Sequence, residues 1–175
     1  FPRSLQKISE NFPQIPVNQI KKTLNNDDYI RTSYNTYIHF NSVQADSHTT
    51  TAIHQIVEDQ LSKTGFITLN QLVKAFKTDC GQFFSNNPTL SQRGLNDFLR
   101  IILKGKFSIN GDIISDITSN VSTYFIFQDL CKNRDTLEIS EIADFSTRIG
   151  EHIYFDPIYD KMIRVNRDTF VNPSN

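Results

Sequence analysis

Tyr29-Ile30-Arg31-Thr32-Ser33-Tyr34-Asn35-Thr36-Tyr37-Ile38 returns 133 residues later as Met162-Ile163-Arg164-Val165-Asn166-Arg167-Asp168-Thr169-Phe170-Val171. The two stretches align without a gap as hydrophobic-Ile-Arg-x-x-x-(Asn/Asp)-Thr-aromatic-(Ile/Val). Self-similarity at a distance marks a chain assembled from small modules. Apolar residues flank a polar centre in each copy, so each reads as a β-hairpin closing its module. With Tyr34-Asn35 and Arg167-Asp168 as the central turn residues, Thr32 faces Tyr37 and Ile30 faces His39. In the second copy Val165 faces Phe170 and Ile163 faces Asn172. Side chains alternate along a strand. Ile30 with Tyr37, and Ile163 with Val165 and Phe170, are therefore expected on core faces. Arg31 and Arg164 are expected on the opposite face, toward solvent or a partner.

Working outward, segment 1–46 holds a short helix from Ser4 to Phe12, stopped before Pro13. Asn18 is a fair N-cap for the helical phrase Gln19–Leu24, and the hairpin 29–40 follows. A small polar linker at 44–48 separates it from segment 49–118. There Ile53, Ile56, Val57 and Leu61 keep helical spacing up to Gly65, and Phe66-Ile67-Thr68 is a short strand. One helix carries Leu69, Leu72, Val73 and Phe76. Another begins near Ser91 and carries Leu95, Phe98, Leu99 and Ile102. Phe107-Ser108-Ile109-Asn110-Gly111-Asp112-Ile113-Ile114 is an Asn-Gly hairpin. Segment 119–175 repeats the order: a helix over 120–132, a strand at 136–139, a helix from Ser140 to Gly150, a short piece around Pro157, and the hairpin 162–172.

The chain has 175 residues, 38% hydrophobic and 21% charged, with a net charge of −1. That is globular composition. It argues against coating nucleic acid by bulk charge but leaves room for a local basic stripe. No apolar run is long enough to span a membrane, and no leader reads as a signal peptide. Cys80 and Cys131 lack metal-ligand spacing and read as reduced thiols, which with the missing leader gives an expected intracellular, cytoplasmic location. Because the chain begins at Phe1 rather than Met, it is expected to be a fragment or a processed product.

The order helix, short strand, helix, helix, hairpin resembles the winged helix-turn-helix family, most clearly at 49–118 and 119–173. The expected fold is therefore mainly α with short β-hairpins, an α+β class, built as tandem winged-helix-like modules packed together. The segment 1–46 is a partial module. The resemblance implies binding of duplex DNA, with the third helix in the major groove and the wing on the backbone. Some members of the family dock proteins instead, so a protein partner is the competing expectation.

On the helix from Ser91, Gln92, Arg93 and Asn96 are the candidates for base contacts, since their side chains hydrogen-bond base edges. Arg31, Arg100, Lys104, Lys106, Arg164 and Arg167 are the candidates for phosphate contacts. The bland reading of these residues is an ordinary solvated helix face and charge on exposed strands. His39, His48, His54 and His152 show no metal-binding spacing. The acidic pairs sit where caps and turns place them. No nucleophile elbow or phosphate-cradling glycine loop is present. The expected protein is non-catalytic, with no cofactor and no metal, and DNA is its leading partner.

Overall fold

The computed structural model describes residues 2–173 and shows an α+β architecture. Three groups of elements follow one another. The first is β1 (Arg3–Ser4), α1 (Leu5–Asn11), α2 (Val17–Leu24) and the hairpin β2 (Tyr29–Ser33) to β3 (Thr36–His39). The second is α3 (Ser47–Thr64), β4 (Phe66–Thr68), α4 (Leu69–Asp79), α5 (Gly81–Asn86), α6 (Gln92–Leu103) and the hairpin β5 (Phe107–Asn110) to β6 (Ile113–Asp116). The third is α7 (Thr123–Leu130), β7 (Thr136–Glu138), α8 (Ile139–Ile149), α9 (Asp156–Tyr159) and the hairpin β8 (Ile163–Arg164) to β9 (Thr169–Val171). Each group holds one antiparallel sheet, in the orders β1-β3-β2, β4-β6-β5 and β7-β9-β8. The strand that leads each hairpin is thus always a sheet edge.

The chain divides into two compact units, Phe1–Ile56 with Val73–Lys104, and Val57–Leu72 with Gly105–Asn175. All three breaks between them fall inside segment 49–118. In the first unit Phe83 lies between Phe76 and Phe98, with ring centroids 5.0 and 5.2 Å away. Leu5, Ile20, Leu24 and Tyr37 form a second cluster there. In the second unit Ile113, Phe127, Leu137, Ile142, Ile158 and Phe170 are fully buried together.

Local chemistry explains most boundaries. Ser4, Ser91 and Ser122 accept backbone N–H bonds as N-caps of α1, α6 and α7. Glu138 and Glu141 form a capping box on α8, which Gly150 ends at φ 72°. Helix α2 starts at Val17, not after an Asn18 cap, because Pro16 at φ −57° already suits the first turn. The sequence gives no sign of α5, whose adjacent Phe83 and Phe84 hide any helical period, nor of β1, which is only two residues long.

The hairpins depart from expectation in register. Tyr34-Asn35 is the turn of the first, with Asn35 at φ 55°. A bulge between Arg31 and Ser33 then sets Arg31 opposite Tyr37 and Ile30 opposite Ile38. Ile30 therefore shares a face with Ile38, not with Tyr37. In the second copy Arg164 stands opposite Phe170 and Ile163 opposite Val171, the same register. Here the cause is Asn166, whose Oδ1 accepts from the N–H groups of Asp168 at 2.8 Å and Thr169 at 2.9 Å and widens the turn by a residue. Ile163 and Val165 thus leave the face of Phe170, and they are 56% and 54% exposed. In the middle hairpin Asn110 pairs with Ile113, so the turn is Gly111-Asp112, and only Gly111, at φ 60°, needs positive φ.

The last turn of α8 leaves carbonyls that need donors. The Thr68 hydroxyl donates to the Ile149 carbonyl, Asn70 Nδ2 to Gly150 at 2.6 Å and Gln71 Nε2 to Arg148 at 3.3 Å. The next residue, Glu151, has a buried Oε1 without a hydrogen-bond partner. Burial first, and then the nearby Asp112 charge, hold its carboxyl above the ordinary value of 4.5. A carboxyl raised in the folded state binds its proton more tightly there, so ionising it costs stability. That cost is absent below the ordinary value and complete above the folded one. Glu151→Gln is expected to raise the melting temperature at pH 7, with the gain fading as pH falls through about 4.5. A thermal-melt series on both proteins checks this; an equal gain at pH 3.5 would contradict it.

Candidate nucleic-acid interface

Helix α6 is amphipathic by construction. Leu95, Phe98, Leu99 and Leu103 are buried on one side. Gln92 and Arg93 are exposed, and Asn96 and Arg100 half-buried. Arg93, Asn96 and Arg100, spaced i, i+3 and i+7, lie along one strip. Gln92 Nε2 donates to Asn96 Oδ1 at 3.0 Å. Lys77 Nζ, from α4, donates to Gln92 Oε1 at 2.9 Å. Lys77 thereby joins the strip, a placement that a separation of 15 residues and the absence of any local motif keep out of a sequence reading.

The remaining side of α6 lies along β2. Asp97 Oδ2 accepts from the backbone N–H of Arg31 at 3.2 Å and from its Nε at 3.3 Å. A Cβ on Gly94 would stand 3.2 Å from the Arg31 carbonyl oxygen and 3.3 Å from Ile30 Cγ2. Since β2 is an edge strand, α6 covers its open hydrogen-bonding side. Arg31, expected on the face away from Tyr37, instead stands opposite it and joins hairpin to helix through Asp97, with 37% of its side chain still exposed. Beside it, a groove of about 330 Å³ is lined by Asn25, Asp27, Tyr29, Arg31, Asp97 and Arg100.

The other candidates divide between the units. Lys104 belongs to the first and is ion-paired with Asp27; both side chains are more than half exposed. Such surface pairs contribute about 0–1 kcal/mol and exchange readily. Lys106, Arg164 and Arg167 belong to the second unit. Lys106 pairs with Glu58 at 2.7 Å. Arg164 Nε donates to the Asn166 carbonyl at 3.1 Å, its guanidinium also donates to the Arg167 carbonyl, and it sits 5.8 Å from the centre of the Phe170 ring. Arg167 is exposed.

Two of the acids weighed for chemistry have structural partners, and both thiols are pushed up. Burial first, then Asp79 and Asp46, push the Cys80 thiol up, and burial pushes Cys131 up against the opposing pull of Arg134 and Lys161. Both thiols are free and neither is activated. Asp160 accepts from the Tyr124 hydroxyl, and Glu141 pairs with Arg134 at 2.6 Å. Among the described residues no three His, Cys, Asp or Glu side chains are grouped to hold a metal ion, and no helix is long and apolar enough to cross a membrane.

No family model, curated protein or solved structure matches the chain.

The contact between α6 and β2 makes a prediction about sign. Gly→Ala within a helix ordinarily stabilises by about 1 kcal/mol. Gly94→Ala is instead expected to destabilise, because its Cβ meets a backbone carbonyl that cannot swing away. Asp97→Ala, which strips the acceptor from a part-buried N–H, is expected to cost about 1–3 kcal/mol. Denaturant melts measure both, and a Gly94→Ala protein more stable than the parent would contradict the packing.

Proposed function

We propose that the chain is a non-catalytic tandem winged-helix array whose first unit binds duplex DNA through α6. Two features support the architecture. In each of the three groups a strand, two or more helices and a hairpin follow in order. In each, the leading strand pairs with the hairpin's second strand, as a winged helix requires.

The observation that carries the DNA reading is a division of charge. The near-zero net charge is made of two unlike parts. The first unit has ten Lys and Arg against six Asp and Glu, and the second has eight against thirteen. The polar strip of α6 lies in the basic unit. In this reading Gln92, Arg93 and Asn96 face base edges, with side chains suited to adenine and guanine. Lys77, Arg100 and Lys104 take phosphates, and Lys104 exchanges Asp27 for one of them. Arg31 keeps Asp97 and holds the helix against its hairpin. Lys106, Arg164 and Arg167 leave the contact set, because the acidic unit that carries them repels a polyanion.

Three phosphate contacts give a slope of about −2.7 in log affinity against log salt, roughly a 40-fold loss between 50 and 200 mM. Titration of fluorescent duplexes is expected to show that slope. Arg93→Ala should narrow the spread of affinities among duplex sequences. Lys104→Ala should weaken all sequences alike and flatten the slope by about 0.9. Arg164→Ala and Arg167→Ala should change neither. No binding at 50 mM salt, or an Arg164→Ala effect equal to that of Arg93→Ala, would overturn the proposal.

A further inference from the structure

The repeated phrase folds twice with one register, yet its two copies meet different surroundings. Arg31 opposite Tyr37 in the first copy corresponds to Arg164 opposite Phe170 in the second, and Ile30–Ile38 corresponds to Ile163–Val171. Both β2 and β8 are edges of sheets with the same strand order. In the first copy Ile30 is fully buried and Thr32 nearly so. In the second, Ile163 and Val165 at the matching positions are more than half exposed.

What covers the first edge is specific. Helix α6 brings Gly94 against the Arg31 carbonyl and, one turn on, Asp97 against the Arg31 N–H and guanidinium. A small residue lets the helix approach, and an acid three residues later takes both donors of the arginine. Of these two donors, β8 offers the backbone N–H, while the Arg164 Nε already donates to the Asn166 carbonyl. Paired residues of an antiparallel ladder alternate between bonded and unbonded pairs. Val165 donates to the Thr169 carbonyl at 3.1 Å, so Arg164, one position away, turns its N–H and carbonyl outward from the sheet. Its guanidinium, lacking a carboxylate, rests on the carbonyls of its own loop.

We infer that the outer edge of β8 is a docking site for an amphipathic helix of a partner protein. That helix presents Gly or Ala followed three residues later by Asp or Glu. Its acid receives the Arg164 N–H and guanidinium, and its apolar side covers Ile163 and Val165. The contact reproduces between two chains the one that α6 and β2 make within one. It lies wholly on the second unit and is independent of the nucleic-acid reading.

The probe is a peptide of residues 89–104, stapled between the positions of Gln92 and Asn96 because so short a helix is marginal alone. It is titrated into the full chain and followed by NMR. Saturable shifts are expected at Ile163, Arg164 and Val165. Peptide Asp97→Lys or protein Arg164→Glu should each weaken binding at least about tenfold. The two changes together should restore it, which a merely sticky apolar peptide would not do. Three results would overturn the inference: no saturable shift on β8, equal binding of the Asp97→Lys peptide, or shifts at Ile30 and Thr32 in place of β8. A fourth is concentration-dependent dimerisation of the chain, abolished by Val165→Lys, which would assign the edge to a second copy.

Discussion

An edge strand has a row of backbone donors and acceptors that its own sheet cannot satisfy, and the first unit answers that constraint with one carboxylate. Asp97 takes the outward N–H of Arg31 together with its guanidinium, at 3.2 and 3.3 Å. Gly94 allows the helix close enough for that bond to form. The rest of the unit follows from this fit. With its Asp97 side held to β2 and its Leu95 and Phe98 side buried, α6 turns Gln92 and Arg93 to the surface, with Asn96 and Arg100 half-buried beside them. The arginine most conspicuous in the sequence thus ties hairpin to helix.

The two copies of the phrase show what a local pattern determines and what it leaves to context. Register is shared, although different devices enforce it: a bulge at Thr32 in one copy and the Asn166 side chain in the other. Burial is not shared. The same Ile-Arg dipeptide lies under a helix in the first unit and on the surface in the second. Charge follows the same division, with the basic excess on the unit whose edge is closed and the acidic excess on the unit whose edge is open. The proposed nucleic-acid contact and the inferred docking edge therefore lie on different units of one chain.

Much of the architecture could be read from the residues. The helix start near Ser91, the stop at Gly150 and the amphipathic period of α6 are local signals, and local physics decides them; the Glu138 cap, read as part of a strand, was not legible. The hairpins were legible as hairpins, but their faces were not. A bulge of one residue inverts the alternation, and neither Thr32 nor Asn166 announces one. The site was legible in part. Gln92, Arg93, Asn96 and Arg100 fall on one helix face, as their spacing requires. The Arg31–Asp97 pair spans 66 residues and Lys77 reaches Gln92 across 15, so no motif could join them. The division of charge was hidden because the units are discontinuous in sequence, and a net value of −1 averages over both.

The β2 edge is closed by α6, and its counterpart β8 is open. Amide hydrogen exchange of Arg31 and Arg164, followed in the same sample, tests that directly. The Arg31 N–H, bonded to Asp97 at a covered edge, should exchange only when the unit opens, at least about a thousandfold slower than an unstructured amide. The Arg164 N–H, turned outward from an uncovered edge, should exchange nearly as fast as an unstructured amide. Equal rates at the two positions would contradict the account.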